Sequence, residues 1–415
     1  MNNLHGIYRG WYQVAAVFVL QMLCLASVYT AYSVIALPIG REFGASAMVQ
    51  VLGVTVTTLS AGLLSPVLGV AVDRLPLKWL MSGSALWFCS GFFAMSWTSA
   101  MWQVLLVYAV FMAPATVLLG SMASAGLLSR WFNHQRARAL GVAATGVAVG
   151  GLLLPPLLQW LIELFQWRVG LRYYGAALAL VMLPVAWGLI KGQPSAAELA
   201  QEPGVDEHHD PKHRTQPKAL NLRDSSFWLL AISLGFIFCG PIALTSNMLP
   251  LLVSKGIDAS TGVFVLSLVA IANFAGKVLV AWRGDRVPHH YALSAILATL
   301  GLAAWVFVEA QSFAGFALAG MMVGVSAGGT APLWSLTLSR LYGSTQVGRA
   351  MGMMRLAIMP FTLSAVPLLG WVFDRTGSYD SGFTAYVGLA ALGSIFILFT
   401  GRRHAAATIA PLPRS

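Results

Sequence analysis

Charge is scarce in this chain: only 9% of its 415 residues are Asp, Glu, Lys or Arg, against about 25% in a soluble globular domain. Acids are the scarcer sign, 14 against 25 Lys and Arg, and none lies in the interior of an apolar run. Cysteine is nearly absent. Cys24, Cys89 and Cys239 fall in three separate apolar stretches, which fits neither a disulfide framework nor a metal-ligand spacing. The eight histidines all lie outside or at the ends of those stretches, so no buried histidine is available as a haem ligand or proton relay. No nucleophile–base–orienter constellation occurs, so an enzyme is not expected, nor a cofactor. A cleavable leader is not expected either, because the first run, Trp11 to Leu37, is too long and lacks a cleavage-site pattern.

What the chain has is apolar length. Hydrophobic residues make up 58% of it, and its mean hydropathy is +0.74. Runs long enough to cross a bilayer fall near 11–37, 48–72, 79–98, 101–129, 139–162, 169–190, 226–253, 260–282, 290–309, 312–339, 350–372 and 382–400. The expectation is an all-α polytopic membrane protein with twelve transmembrane helices. The net charge of +11 is explained by topology. Eighteen of the 25 Lys and Arg fall on the side holding both termini and the long polar loop, five on the other side, counting Arg172 at the outer end of the run 169–190, and two deep inside spans. By the positive-inside rule the rich side is cytoplasmic. The basicity therefore predicts no nucleic-acid partner, and membrane lipid is the expected surrounding. A monomer in the cell (inner) membrane is expected.

The two embedded charges are Lys277 and Arg355. A lysine deep in a lipid-length segment costs about 2.5 kcal/mol or more unless it faces protein or water. Asn273 lies four residues before Lys277, on the same helix face, and Ala272, Ala275 and Gly276 let neighbouring helices approach. Arg355 either faces the interior or snorkels toward Arg349 at the membrane edge. Two cations without an embedded acid need an anion nearby. A bound carboxylate supplies it through charge-assisted hydrogen bonds. Further polar candidates are Tyr29 and Tyr32, three apart in the first run and equally explained as interfacial anchors, and Asn247 in the seventh. The loop 192–225 is polar and expected to be mobile. A charged linker accounts for its His208, His209 and His213 without a metal.

Two cytoplasmic motifs carry a family resemblance. Gly69, Asp73, Arg74 and Lys78 close the second run, and this pattern resembles the signature of the major facilitator superfamily. A weaker copy, Gly284-Asp285-Arg286, follows the eighth run. That echo argues for two six-helix halves, 1–191 and 226–415, joined by the loop 192–225. The resemblance implies a gating role for Gly69, Asp73, Arg74, Lys78, Asp285 and Arg286. After the fourth run, Trp131-Phe132 and a basic stretch lead into Gly141, Gly146 and Gly150, a small-residue packing face. This resembles the monocarboxylate transporter branch. Monocarboxylate transporters carry an Asp-x-x-x-Arg pair in the eighth helix, where this chain has Asn273 and Lys277. Oxalate/formate exchangers use cations in the eighth and eleventh helices, and Arg355 is a near match, offset by about a turn. The chain departs in having Asn273 where an Asp titrates, and in lacking a buried lysine in its first run.

The expected function is alternating-access transport of small organic anions, monocarboxylates above all, with proton symport or anion exchange both open. A proton-driven exporter of drugs or amphiphiles is the alternative. It requires an embedded acid, which this sequence lacks. A non-transporting membrane sensor of the same fold is a further one.

Overall fold

The computed structural model describes residues 8–44, 47–202, 220–248, 251–252, 255–257 and 259–409. Among them there is no strand. That is the outcome physics dictates for apolar chain in lipid, where each backbone group must find its partner inside its own segment. The helices run α1 (Gly10–Tyr29), α2 (Tyr32–Glu42), α3 (Ala47–Arg74), α4 (Leu77–Ser96), α5 (Met101–Val107), α6 (Ala113–Leu118), α7 (Ser121–Trp131), α8 (Arg136–Pro184), the short α9 (Ala196–Leu199), α10 (Ser225–Ser246), α11 (Ala259–Arg283), α12 (His289–Glu309), α13 (Phe313–Thr376) and α14 (Asp380–Ile409). A π-turn, Tyr108–Met112, joins α5 to α6.

Nine stretches among the described residues are long and apolar enough to cross a membrane. Two of them are pairs of helices meeting at a kink: α8 at Gln166, with φ 60°, and α13 at Gly343, with φ 70°. Taking each leg separately and adding the 20-residue α4 recovers the twelve spans read from hydropathy. The histidines of the long loop lie outside the described residues.

The chain clusters into two compact units, Met1–His209 with Leu338–Leu356, and Asp210–Thr337 with Ala357–Ser415. In the first, α1 lies along α8. A side chain at Gly146 would strike the Phe18 carbonyl, and one at Gly150 the Met22 carbonyl. The glycines read as a packing face are thus what lets the two backbones touch. The break at Gln166 is held from outside: Trp167 Nε1 and Arg168 Nη1 each donate to the Glu42 carboxylate at 2.5 Å. These bonds, Arg168's first, hold that carboxyl below its usual range.

The π-turn has a cause in the sequence. Pro114 has no N–H to give the Val110 carbonyl four residues back. Trp87 Nε1 of α4 donates to that carbonyl instead, at 2.9 Å. In the second unit α14 packs on α10 and α12. Tyr386 donates its hydroxyl to the Phe236 carbonyl at 2.9 Å, over Gly240, where a side chain would collide with the Tyr386 ring.

Candidate functional site

α11 and α13 cross at a glycine seam. A side chain at Gly324 would meet the Val269 carbonyl, one at Gly328 the Asn273 carbonyl, and one at Gly276 the Val325 carbonyl. The closest approach of the two helices is therefore at Asn273–Gly276, immediately before Lys277. Small residues here are a packing requirement, and they fix where the embedded lysine sits.

Asn273 and Lys277 are both half-buried. Neither side chain forms a hydrogen bond or ion pair with any described residue. A partly buried polar pair left unsatisfied costs stability unless a ligand completes it. On α13 two more polar groups are enclosed without a partner among the described residues, the Ser326 hydroxyl and the indole N–H of Trp334. The Trp334 ring packs edge-on against Phe238 of α10, 4.8 Å between centroids. Sequence reading passed over both, because serine and tryptophan are ordinary in membrane helices and only burial reveals the missing partner.

Arg355 lies in the Leu338–Leu356 segment of the first unit. It is half-buried, whereas Arg349 is exposed, and it too has no hydrogen bond or ion pair among the described residues. The tyrosines do not share a face. The helix breaks between them: the Ala31 N–H reaches back to the Ala26 carbonyl at 2.9 Å, and Tyr32 begins a new helix. Tyr29 is exposed, while Tyr32 is 5% exposed. The Tyr32 hydroxyl accepts the Gly53 N–H at 3.0 Å. Asn247 is buried, and its amide donates to the Ala243 carbonyl of its own helix at 2.9 Å.

The motif residues at the end of α3 form a built structure. Asp73 accepts backbone N–H bonds from Gly348 and Arg349, each at 2.8 Å. These amides belong to the turns following the Gly343 break, so a carboxylate caps the start of a helical leg. Gly69 allows it, since any side chain there would collide with the Gly348 carbonyl. Arg130 donates to the Val72 carbonyl at 3.3 Å, and Arg136 to the Ser339 carbonyl at 3.3 Å. Lys78 sits 4.7 Å over the Trp187 ring. Arg74 and Arg286 are exposed, and Asp285 is half-buried.

The start of the long loop departs from expectation. Residues 191–202 are docked rather than mobile. Glu198 accepts from Lys191 Nζ at 2.7 Å, Arg9 at 3.1 Å and the Ser195 N–H at 2.7 Å. Glu202 accepts the backbone N–H groups of Asn133, His134 and Gln135 at 2.8–3.1 Å, just before α8 begins. The Ser195-x-x-Glu198 capping box is the sequence signal that marks this turn.

The sequence matches the profile of the Major Facilitator Superfamily over residues 17–359. It is 29% identical over 271 residues to monocarboxylate transporter 13 of Bos taurus, covering 64% of this chain and 60% of that one. The chain thus spans 60% of the length of that relative. It is 25% identical over 337 residues to the agnestins efflux protein AgnL12 of Paecilomyces divaricatus, covering 80% of this chain and 72% of that one. Among solved structures, the E. coli fucose:proton symporter FucP superposes with a TM-score of 0.68 at 15% identity, over 94% of this chain and 99% of that one.

Proposed function

The chain belongs to the Major Facilitator Superfamily, and from that premise we propose that it is a secondary transporter of small organic anions, monocarboxylates first, working by alternating access. The observation that carries this is the pair of embedded cations, Lys277 and Arg355, neither of which meets an acid among the described residues. Acidic side chains sit at helix ends instead, Glu42 and Asp73 among them. A substrate carboxylate supplies the charge that the protein omits. Lys277, Asn273 and Arg355 are the binding candidates, with Tyr29, Tyr32 and Asn247 secondary because Tyr32 already bonds the Gly53 amide and Asn247 the Ala243 carbonyl. The likeness to monocarboxylate transporter 13 supports the same class.

On this reading the halves are 1–191 and 226–415, joined by 192–225. The protein sits as a monomer in the inner membrane with both termini cytoplasmic. Its coupling is proton symport or anion exchange. The motif residues Gly69, Asp73, Arg74 and Lys78, with Asp285 and Arg286, serve gating. The likeness to an efflux protein favours outward transport of larger amphiphiles as the second reading. Proteoliposomes decide between them. Uptake of labelled lactate or pyruvate, competed by unlabelled carboxylates and abolished in Lys277→Ala, is the expected result. Transport of a neutral amphiphile that ignores carboxylates overturns it.

A further inference from the structure

One face of α4 borders a groove that is open at Gly83. Leu80, Gly83, Ser84 and Trp87 follow one another at helical spacing, and with Trp79, Pro114 and Leu118 they line a cavity of about 300 Å³. At its middle nothing lies within 4 Å of the position a side chain on Gly83 would take. Its flanks, Trp79 and Trp87, are 64% and 47% exposed, so the groove opens onto the surface that meets lipid. From Trp79 to Trp87 it runs about 12 Å along the helix at the usual rise. Its polar atoms are already engaged: Ser84 donates to the Leu80 carbonyl at 2.7 Å, and Trp87 to the Val110 carbonyl. The occupant that fits this wall is an apolar chain.

The end of the groove is charged. Trp79 meets the Trp187 ring edge-on at 4.5 Å, and the Lys78 ammonium lies over that same ring at 4.7 Å. Lys78 has no acidic partner among the described residues. It lies on the side richer in Lys and Arg. We propose that the groove holds one acyl chain of an anionic glycerophospholipid from the adjoining leaflet, with the headgroup phosphate on Lys78. A zwitterionic lipid satisfies the apolar wall equally but brings its own cation to Lys78, so charge complementarity selects the anionic class.

Native mass spectrometry of the purified protein, titrated with phosphatidylglycerol or phosphatidylcholine of identical chains, tests this. One phosphatidylglycerol adduct is expected to form at lower concentration than any phosphatidylcholine adduct, and millimolar glycerol phosphate is not expected to displace it. Lys78→Gln is expected to weaken phosphatidylglycerol about fivefold, the share of one surface lysine, and to leave phosphatidylcholine unchanged. Gly83→Leu, which fills the groove, is expected to weaken both lipids. Ser84→Leu is the second filling variant should Gly83→Leu fail to purify as a monodisperse species. Equal binding of the two lipids by the unaltered protein overturns the charge assignment. Unchanged adducts in both filling variants overturn the site.

Discussion

The carboxylate of Asp73 accepts the backbone N–H of Gly348 at 2.8 Å, and its second oxygen takes the neighbouring amide of Arg349. Two charge-assisted bonds to the start of a helical leg make a strong but breakable tie. Bonds of this kind are worth about 1.5–3 kcal/mol each. Asp73→Asn removes the charge and keeps the shape. Its expected effect is a fall in transport rate of roughly ten- to a hundredfold, with much less change in substrate affinity. Equilibrium binding measured beside flux is the check, and equal losses in both remove the gating assignment.

The glycine seam of the second unit predicts a packing failure. Gly328→Val would force a branched side chain into the Asn273 carbonyl. Overpacking of this kind costs typically about 1–3 kcal/mol, and here it also moves Asn273. Reduced thermal stability together with weakened carboxylate binding is expected. A variant as stable as its parent would show that α11 and α13 do not hold this approach.

The docked turn at 191–202 carries a pH dependence. Lys191 above all, with the Ser195 N–H and Arg9, holds the Glu198 carboxyl at about 2 against an ordinary 4.5. A depressed carboxyl stabilises the docked form fully above the ordinary value, and that stability fades as pH falls from about 4.5 toward 2. Pepsin cleavage at Leu199 should therefore rise across that interval. Glu198→Gln should already be cleaved readily at its upper end. Superimposable profiles for the two forms would mean that Glu198 does not hold the turn.

Much of the fold was legible because hydropathy acts on twenty residues at a time. The small-residue face at Gly146 and Gly150 was equally plain, since only close backbone approach calls for that spacing. The break near Gln166 showed as the gap between the runs 139–162 and 169–190, but its support did not, because that comes from Glu42, far away in sequence. Tyr29 and Tyr32, three apart in one apolar run, fall in separate helices, and no proline or glycine in the sequence marks the break at Thr30–Ala31. Lys277 stood out through its cost in lipid. Ser326 and Trp334 stayed hidden, since an unpaired donor exists only once its surroundings are known. Glu202 was read as linker composition, which says nothing of three amides waiting near the start of α8.

The proposed orientation rests on the eighteen-to-five distribution of Lys and Arg. In a background where Cys24, Cys89 and Cys239, all buried, are replaced by alanine, a cysteine at Ser195 should react only from the cytoplasmic side. One at Ala259 should react only from outside. Labelling of Ser195→Cys from outside would invert the topology or change the number of spans.

Lys277 is where the substrate assignment is most exposed to test. It is half-buried, sits one turn beyond Asn273, and follows directly the residue whose backbone crowds α13 at Val325. Nothing among the described residues neutralises it. Removing a charge-assisted bond from such a place costs roughly 1.5–3 kcal/mol, about ten- to a hundredfold in affinity. Lys277→Ala should therefore lose carboxylate binding while still purifying as a monodisperse species. Relieved of an unpaired charge, the ligand-free variant should be no less thermally stable than its parent. Lys277→Arg should keep part of the affinity, because charge persists while the geometry of its donors changes. Calorimetric titration of the three forms with one carboxylate gives the answer. An alanine variant with an unchanged dissociation constant would remove both the residue and the anionic substrate class from the proposal.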